Sequence, residues 1–526
     1  MKKGATFLIL LLLAGMLAYR FVYRPQIKEK QLQEQLLLTS DANQFERTIT
    51  VWGDDWLGYL IFKSRQMQQA LHRSNLGIRY ENVLDYGERL EGLANGKCDL
   101  ITITLDSYLT NGSTHDYPGV ILFMIDESFG GDAIIGGPGV KSLDALDEKG
   151  RDGAFVGHSP SEFLLKSSAA HFKLGNVSKN LHRYRKDSST EALEALRKGK
   201  ADYAVLWEPF ASQALAQVPG SSLLIDTKQA RGIILDAAVA NRRTLAAEPE
   251  LFQKLTHAYF QSLHYYLNRP EEFNNLASAY SGEDPTTASK MLGGIRFANL
   301  QDNRREWFGV ESQGIPEIVD ALGRIEKILR DSGDIQQDKL QGNYYSLIHS
   351  NILAGMTQSQ GIERLQPNMA SVPTHHYFPP LDPAAWDKIR GNVTGTFLNE
   401  PVLFKTGQAS LTEEFQDKLH DAASKLVHYP YHRIVIEANV SPGQDPQVDL
   451  QLSEQRALAI KGYLVGSSQV EENRILAKGL GSQGLPAKYP GEADRAWKRR
   501  CRRAKIFLVM DAGLRSGAAA LTPNGP

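Results

Sequence analysis

The 526-residue chain has room for two to four domains, each with a core of its own. A hydrophobic share of 42% and a charged share of 23% are those of ordinary globular protein. A net charge of -1 excludes a global electrostatic pull toward nucleic acid or an anionic membrane surface, and no nucleic-acid partner is expected. The two cysteines, Cys98 and Cys501, fall in segments read below as different domains, which argues against a structural disulfide, a zinc site or a thiol-redox motif.

Lys2 and Lys3 precede an apolar run from Ala5 to Tyr19, followed by Arg20, Phe21, Val22, Tyr23 and Arg24. The run is about 15 residues, or roughly 19 if Arg20 snorkels, close to the lower limit for crossing a bilayer. A cleaved signal peptide is the alternative, but its best cleavage residue, Ala18, has Met16 where a small residue is wanted. Residues 1–24 are therefore expected to be an uncleaved signal anchor, a transmembrane helix in the inner membrane with Lys2 and Lys3 cytoplasmic. No cysteine follows the run, so lipoprotein processing is not expected. With either reading the remainder is exported to the periplasm.

Residues 25–47 contain QIKEKQLQEQLLL (Gln26 to Leu38), which predicts a short helical stalk. From Thr48 strands and helices alternate. TITVW (Thr48 to Trp52) reads as a strand, Asp54 to Leu71 as a helix, and IRYENV (Ile78 to Val83) as a strand. A helix from Gly87 to Ala94 leads into CDLITIT (Cys98 to Thr104). The pattern continues through VILFMID (Val120 to Asp126), AIIGG (Ala133 to Gly137), AFVG (Ala154 to Gly157), YAVLW (Tyr203 to Trp207) and IILDAAVAN (Ile233 to Asn241). Such alternation predicts an α/β fold with largely parallel sheets. It lasts to about Leu300, and residues 311–358 read as a helical extension. Residues 359–395, rich in proline and polar breaks, read as a linker that reaches roughly 120 Å at full extension. Residues 513–526 read as a disordered tail.

Three segments, GKCDLITITLDS (Gly96 to Ser107), DESFGGD (Asp126 to Asp132) and GKADYAVLWEP (Gly199 to Pro209), resemble the NitT/TauT family of periplasmic binding proteins, which serve nitrate, sulfonate and taurine importers. The resemblance implies a two-lobed type II periplasmic-binding-protein fold over residues 48–310. Lobe one would take 48–130 and 235–310, lobe two 131–234, with ligand closed in the cleft between them and an ABC permease as a further partner. Independently of any family, open α/β sheets bind ligands beyond the carboxyl ends of their strands.

Those strand ends supply the candidate ligand-binding residues: Asp54, Asp55, Trp56, Asp106, Ser107, Ser128, Asp132, Ser159, Trp207, Glu208 and Asp236. Asp54 or Asp55 serves equally well as the N-cap of the helix that follows. Ser159 heads SPSE, a capping box with Pro160 at the first helical position, so capping is its first expectation. Trp56 and Trp207 are either core or stacking surfaces. Glu208, beside Trp207 at a strand end, is costly to bury without a partner and is expected in the pocket. The set carries Asp54, Asp55, Asp106, Asp132, Glu208 and Asp236, and no arginine or lysine at equivalent positions. Unless arginines arrive from elsewhere, such a pocket suits an amine, a zwitterion or a neutral polar solute better than a bare oxyanion.

Catalysis is not expected. The glycines at 130, 131, 136, 137 and 139 fail the dinucleotide spacing, and neither a nucleophile elbow, a zinc-binding helix nor a Walker loop occurs. No cofactor or metal is implied.

PVLFKTGQASLTEE (Pro401 to Glu414), HRIVIEANV (His432 to Val440), LSEQRALAIKGYL (Leu452 to Leu464), ILAKGLGSQGLP (Ile475 to Pro486) and CRRAKIFLV (Cys501 to Val509) resemble the peptidoglycan-associating OmpA-like domain. The resemblance implies an α/β sandwich over residues 396–512. In that family an aspartate and an arginine grip the diaminopimelate of the wall peptide, the aspartate meeting its ammonium and the forked guanidinium its carboxylate. Arg456 matches the arginine. Counting fifteen residues back puts Ser441 at the aspartate position, and Asp449 falls where the family has asparagine. Losing one charged partner of a desolvated contact costs a few kcal/mol, so Asp445 or Asp449 must compensate or the domain takes another partner. For Arg456 the alternative role is a salt bridge on the helix surface. Lys498, Arg499, Arg500, Arg502, Arg503 and Lys505 form a basic run, either a solvated face or a contact for an anionic wall polymer.

Together these expectations describe a membrane-anchored periplasmic binding protein for a small polar solute, whether an amine, a zwitterion or a neutral molecule, with a wall-associating module. The alternative is a structural envelope adaptor whose lobes bind another protein.

Overall fold

The computed structural model describes residues 45–311, 314–356, 378–398, 401–443 and 445–517. The expected anchor, the stalk up to residue 44, residues 357–377 of the expected linker and the last nine residues of the expected tail lie outside these. No helix among the described residues is long and apolar enough to cross a membrane.

The first two sheets use strands β1 (Arg47–Gly53), β2 (Leu76–Asn82), β3 (Leu100–Thr104), β4 (Gly119–Ser128), β5 (Asp132–Gly136), β6 (Gly153–Val156), β7 (Arg185–Lys186), β8 (Tyr203–Trp207), β9 (Ser222–Asp226), β10 (Leu235–Asn241) and β11 (Ile295–Phe297). One sheet has the order β11-β4-β10-β3-β1-β2, the other β7-β6-β8-β5-β9. The chain leaves the first sheet after β4 and returns to it in β10, so two short crossings, 129–131 and 227–234, join two α/β lobes. β3, β4 and β10 are buried along their whole length, as continuous apolar runs covered by helices on both faces should be.

The sheets are mixed rather than largely parallel. β1 pairs parallel with β2 and β3, but β10 runs antiparallel between β3 and β4, and β5 antiparallel between β8 and β9. The returning crossing enters the sheet from the opposite end, which reverses β10. The single helix expected from Asp54 to Leu71 is three pieces, Leu57–Tyr59, Leu60–Lys63 and Arg65–His72. Ser64 makes the break: its extended backbone ends one helix while its hydroxyl accepts from Met67 N and caps the next.

Helix Glu317–Asp331 of the extension packs on Leu105–Thr114 of the first lobe and on Pro160–Phe172 of the second. The ammonium of Lys166, on the latter helix, is held 2.6 Å from Glu162 and 2.8 Å from Asp334. His349 N donates to Ile121 O at 2.9 Å, tying the extension to β4.

The third sheet uses β12 (Val393–Thr396), β13 (Val402–Leu403), β14 (His432–Ala438), β15 (Ile475–Gly479) and β16 (Arg503–Met510), in the order β12-β16-β14-β15 with β13 also on β16. Helices Glu413–Ser424 and Pro446–Gly466 accompany it. Part of the expected linker is therefore folded. Asp382 caps helix Pro383–Arg390, Trp386 is buried, and β12 completes the sheet edge. Likewise the expected tail starts with helix Ala512–Gly517. Arg433, wholly buried, holds Asp511 Oδ2 at 2.7 Å and donates to the carbonyls of Asn473 and Pro379.

This third unit is docked on the lobes. Leu143 N donates to Thr394 O, and Thr396 donates from N and Oγ1 to the Asp144 carboxylate. Gly395 lies against Phe172 so closely that a Cβ would sit 2.6 Å from its ring, which excludes any other residue. At the returning crossing, Arg231 N donates to His428 O at 2.7 Å and His428 Nδ1 donates to Arg231 O at 2.6 Å. His171 stacks on His428 at 5.2 Å and its Nδ1 is hydrogen-bonded to Tyr429 Oη at 2.7 Å.

Burial, with Arg324 nearby, holds His428 down at about 4, and burial with its neighbours His428, Lys425 and Arg324 holds His171 well below its ordinary value. Both rings are neutral in this junction, so its stability is complete above the unfolded value of 6.5 and is lost as pH falls toward 4. The protection factor of the Arg231 amide against hydrogen exchange should fall over that range while amides inside β14 keep theirs. Equal behaviour of the two would show that the histidines do not hold the junction.

Candidate functional site

The carboxyl ends of β1, β3 and β4 and the start of β10 bring carboxylates together. Asp126 and Asp236 face each other directly in the β4–β10 ladder, and Asp132 opens β5 just beyond the crossing. Asp106 lies in the first turn of the helix after β3. All four are at most 5% exposed. Trp56 Nε1 donates to Asp126 Oδ1 at 3.4 Å, the Tyr59 hydroxyl donates to Asp236, and Ser128 Oγ donates to Asp132 Oδ2 at 2.7 Å. Thr227 Oγ1, from the returning crossing, accepts from Gly130 N and is bonded to Ser128 Oγ. Gly58 gives this packing its room, since a Cβ there would strike Asp126 Oδ2. Asp126 Oδ2, Asp106 Oδ1 and Thr104 Oγ1 are buried outside ordinary hydrogen-bond geometry, although Thr104 acts on Asp106, and Asp236 on Asp126, as a hydrogen-bonding neighbour that lowers its carboxyl.

Burial raises these carboxyls because the charged form loses its hydration. Asp106 is pushed up to about 6 and Asp132 to about 7, the latter also by the charges of Asp106 and Glu208. Asp126 is raised by burial and by the charges of Asp132 and Glu127, against the hydrogen bonds of Trp56 and Asp236, while Asp236 is raised by burial and by the charge of Asp126.

Asp54 differs. Its Oδ1 accepts from Trp56 N in a tight turn, and its Oδ2 is 2.6 Å from Arg89 of helix Tyr86–Ala94. Arg89, wholly buried, also donates to the carbonyls of Val83 and Thr102. An arginine thus does arrive from elsewhere, but it is spent on Asp54 and on main-chain carbonyls. The helix pattern around Arg89 gave no sign of its burial.

The remaining candidates divide. Ser107 is buried beside Asp106, its hydroxyl donating at 3.4 Å. Asp55 is 65% exposed and binds Asn82, Tyr280 and Lys63 on the outer surface of the first lobe. Ser159 is not a capping residue, because its hydroxyl donates to Val156 O; Glu162 instead turns back to His158 N and to Arg185, where the ion pair outbids the box. Trp207 is half-buried, edge-on to Phe210. Glu208 accepts from N and Oγ of Ser212, and Lys290 of helix Pro285–Gly293 reaches Ser212 Oγ and lies 4.0 Å from Glu208. Lys290 lies on a helix beside β11 of the first sheet and Glu208 follows β8 of the second, so this contact runs between the two lobes.

In the third unit Arg456 lies in the middle of helix Pro446–Gly466, wholly buried, and donates to the carbonyls of Gln408, Asn439 and Lys405. It is therefore no surface salt bridge. Ser441 is half-buried, and Asp449 accepts from Gly443 N at 2.8 Å, bracing the loop that carries Ser441. In the basic run Arg500 pairs with Glu492, while Arg502 donates to Thr406. A cavity of about 350 Å³ in this unit is lined by Arg390, Glu437, Val435 and Phe507 among others, and includes neither Ser441, Asp449 nor Arg456. Cys98 and Cys501 are both free and buried.

Residues 403–499 match the OmpA family. The two-lobed part is similar to the periplasmic aliphatic sulphonate binding protein SsuA from Escherichia coli, at 16% identity over 55% of this chain and 89% of that one, with a TM-score of 0.44. It is also similar to the periplasmic nitrate-binding protein NrtA from Synechocystis PCC 6803, at 11% identity over 60% and 89%, with a TM-score of 0.48. The alkanesulfonate-binding protein SsuA from Xanthomonas axonopodis pv. citri, bound to MOPS, gives 15% identity over 55% and 94%, with a TM-score of 0.44. No curated protein matches the sequence. The chain has two α/β lobes followed by a unit whose residues 403–499 match the OmpA family.

Arg89→Met would leave Asp54 charged, partly buried and unpaired, and should lower the stability of the first lobe by about 3 kcal/mol in denaturant unfolding. A loss under about 1 kcal/mol would mean that the pair contributes little beyond its desolvation cost.

Proposed function

We propose that this protein is a periplasmic solute-binding protein, held at the inner membrane by residues 1–24 and associated with the cell wall through its C-terminal module. Lobe one comprises residues 48–130 and 235–310, lobe two 131–234, and a small polar solute closes between them beside Asp54, Trp56, Asp106, Ser107, Ser128, Asp132, Trp207, Glu208 and Asp236. The observation that carries this reading is the pair of crossings, 129–131 and 227–234, that joins two α/β lobes beside a set of buried carboxyls. Carboxyls buried at strand ends are costly in a closed interior, and a ligand's donors would stabilise them. Closure would follow ligand-stabilised domain motion about the two crossings, with the Lys290–Glu208 contact as a latch. A permease partner is consistent with this arrangement, as is a sensor that reports solute to the envelope.

For the C-terminal module the support is the OmpA match and Arg456. No carboxylate pairs with this guanidinium among the described residues, and burial presses its charged form. An arginine nevertheless stays charged, so the site favours an incoming carboxylate such as that of a wall peptide. Ser441 supplies no charge for the peptide's ammonium.

The full chain should therefore sediment with purified peptidoglycan. Arg456→Lys, which keeps the charge but not the fork, should weaken that binding at least tenfold, and Ser441→Asp should strengthen it. Absence of binding by the native chain together with binding by Ser441→Asp would turn the search toward another partner for the basic run.

A further inference from the structure

From the row of cations Arg495, Lys498, Arg499 and Arg502 on one face of the third unit, we infer that this unit has a second wall contact, which binds the carboxylates that wall peptides present one after another along the polymer. The inference rests on the wall-association reading above. To the single site at Arg456 it adds a surface that recognises the polymer by its repeated negative charge.

The spacing makes the row. Helix Asp494–Cys501 places residues 495, 498 and 499 on one face, and Arg502, its C-cap residue, continues the series i, i+3, i+4, i+7. Arg495, Lys498 and Arg499 are exposed, and Arg502 is half-buried. Trp497 Nε1 donates to Pro486 O at 2.8 Å, which ties the helix to the preceding loop and fixes its rotation. The acids nearest in the chain are already occupied. Glu492 holds Arg500, at 2.8 Å from Nε and 2.5 Å from Nη2, and Asp494 holds Lys488. The charge of Lys498 reaches Asp494 without an ion pair. Among the described residues, none of the four cations in the row is ion-paired.

The row repels itself. Arg495 with Arg499, and Lys498 with Arg502, stand four residues apart, the spacing at which like charges destabilise a helix. Arg502 also lies near Arg456, whose guanidinium is held below its ordinary value first by burial and then by the charge of Arg502. Nη1 of Arg502 donates to Thr406, next to Lys405, whose carbonyl accepts from Arg456, and Nε of Arg502 is buried with no hydrogen bond. The row therefore runs up to Arg456. An anion laid along it relieves a repulsion that no carboxylate among the described residues relieves.

The face also selects the kind of anion. Three of its four cations are guanidinium forks, which match planar carboxylates, and positions three and four residues apart stand about 5–6 Å from one another, so the occupant carries several carboxylates rather than one. A bilayer of anionic lipid fits less well, because an interfacial helix needs an apolar face beside its cationic one. The exposed aromatic ring next to this helix in the sequence, Tyr489, is instead engaged by Arg500, 4.0 Å from its centre.

The test is sedimentation of the full chain with purified peptidoglycan, with the same peptidoglycan after its carboxyl groups are converted to amides, and with phosphatidylglycerol vesicles. One variant combines Arg495→Gln, Lys498→Gln and Arg499→Gln, and a second keeps the charge with Arg495→Lys and Arg499→Lys. Native binding to untreated peptidoglycan should fall at least tenfold between about 50 and about 200 mM salt. The glutamine variant should bind roughly tenfold more weakly at low salt, lose most of that salt dependence, and melt no lower than the native chain. The lysine variant should bind within about threefold of native, since exposed contacts depend mainly on charge. Amidated peptidoglycan should bind native chain and glutamine variant equally weakly. A glutamine variant that binds like the native chain, with the same salt dependence, while Arg456→Lys loses binding, would overturn the inference and leave the wall reading standing. A native chain that keeps its advantage on amidated peptidoglycan would overturn the carboxylate assignment. Native binding to the vesicles alone, or to nothing, would remove both.

Discussion

The desolvation of negative charge at one end of the first lobe's sheet constrains most of what surrounds it. Asp126 and Asp236 face each other in the ladder, with Asp132 beyond the crossing and Asp106 on the adjoining helix, and none is open to water. Like charges in a dry site cannot all ionise. Around them the chain places hydrogen-bond donors of neutral type, the indole of Trp56 and the hydroxyls of Tyr59 and Ser128, rather than arginines. Where an arginine does enter, at Arg89, it is consumed by Asp54. A site so built is unstable against its own charge unless it keeps protons.

The same crossing connects to the third unit. Glu127 follows Asp126 directly and is clasped by Arg231, whose main chain is in turn bonded in both directions to His428 of the OmpA domain. Only a few residues thus separate the carboxylate cluster, the turning point between the lobes and the docked third sheet. Helix Glu317–Asp331, which touches both lobes, adds a second bridge. Rotation of the lobes about the crossings would have to break or carry the His428–Arg231 contacts, so the angle between lobes and the seating of the third unit are mechanically linked.

Much of the chain organisation was legible in the sequence because buried strands are continuous apolar runs: LITIT, VILFMID, YAVLW and DAAVAN each became a central strand. Strand direction was not legible, since β10 pairs with β3 and β4 across more than 100 residues and nothing local encodes that choice. The folded helix Pro383–Arg390 was hidden in a proline-rich stretch, although Asp382 followed by Pro383 is a helix-start signal that, given weight, would have revealed it. At the site, the aspartates at strand ends could be picked out, but Asp126 was passed over as part of a motif when a charge inside an all-buried strand was itself the clue. Arg89, Tyr59 and Thr227 carried no local signal, because their burial depends on elements that meet only in three dimensions.

The most direct measurement is infrared difference spectroscopy of the ligand-free chain at pH 7, reading the protonated-carboxyl stretching band. A band that disappears on titration to higher pH and that shrinks in Asp126→Asn is the predicted result. A protein with every carboxyl ionised at pH 7 would contradict the account, because the buried cluster would then be carrying its full charge with no counter-charge beside it.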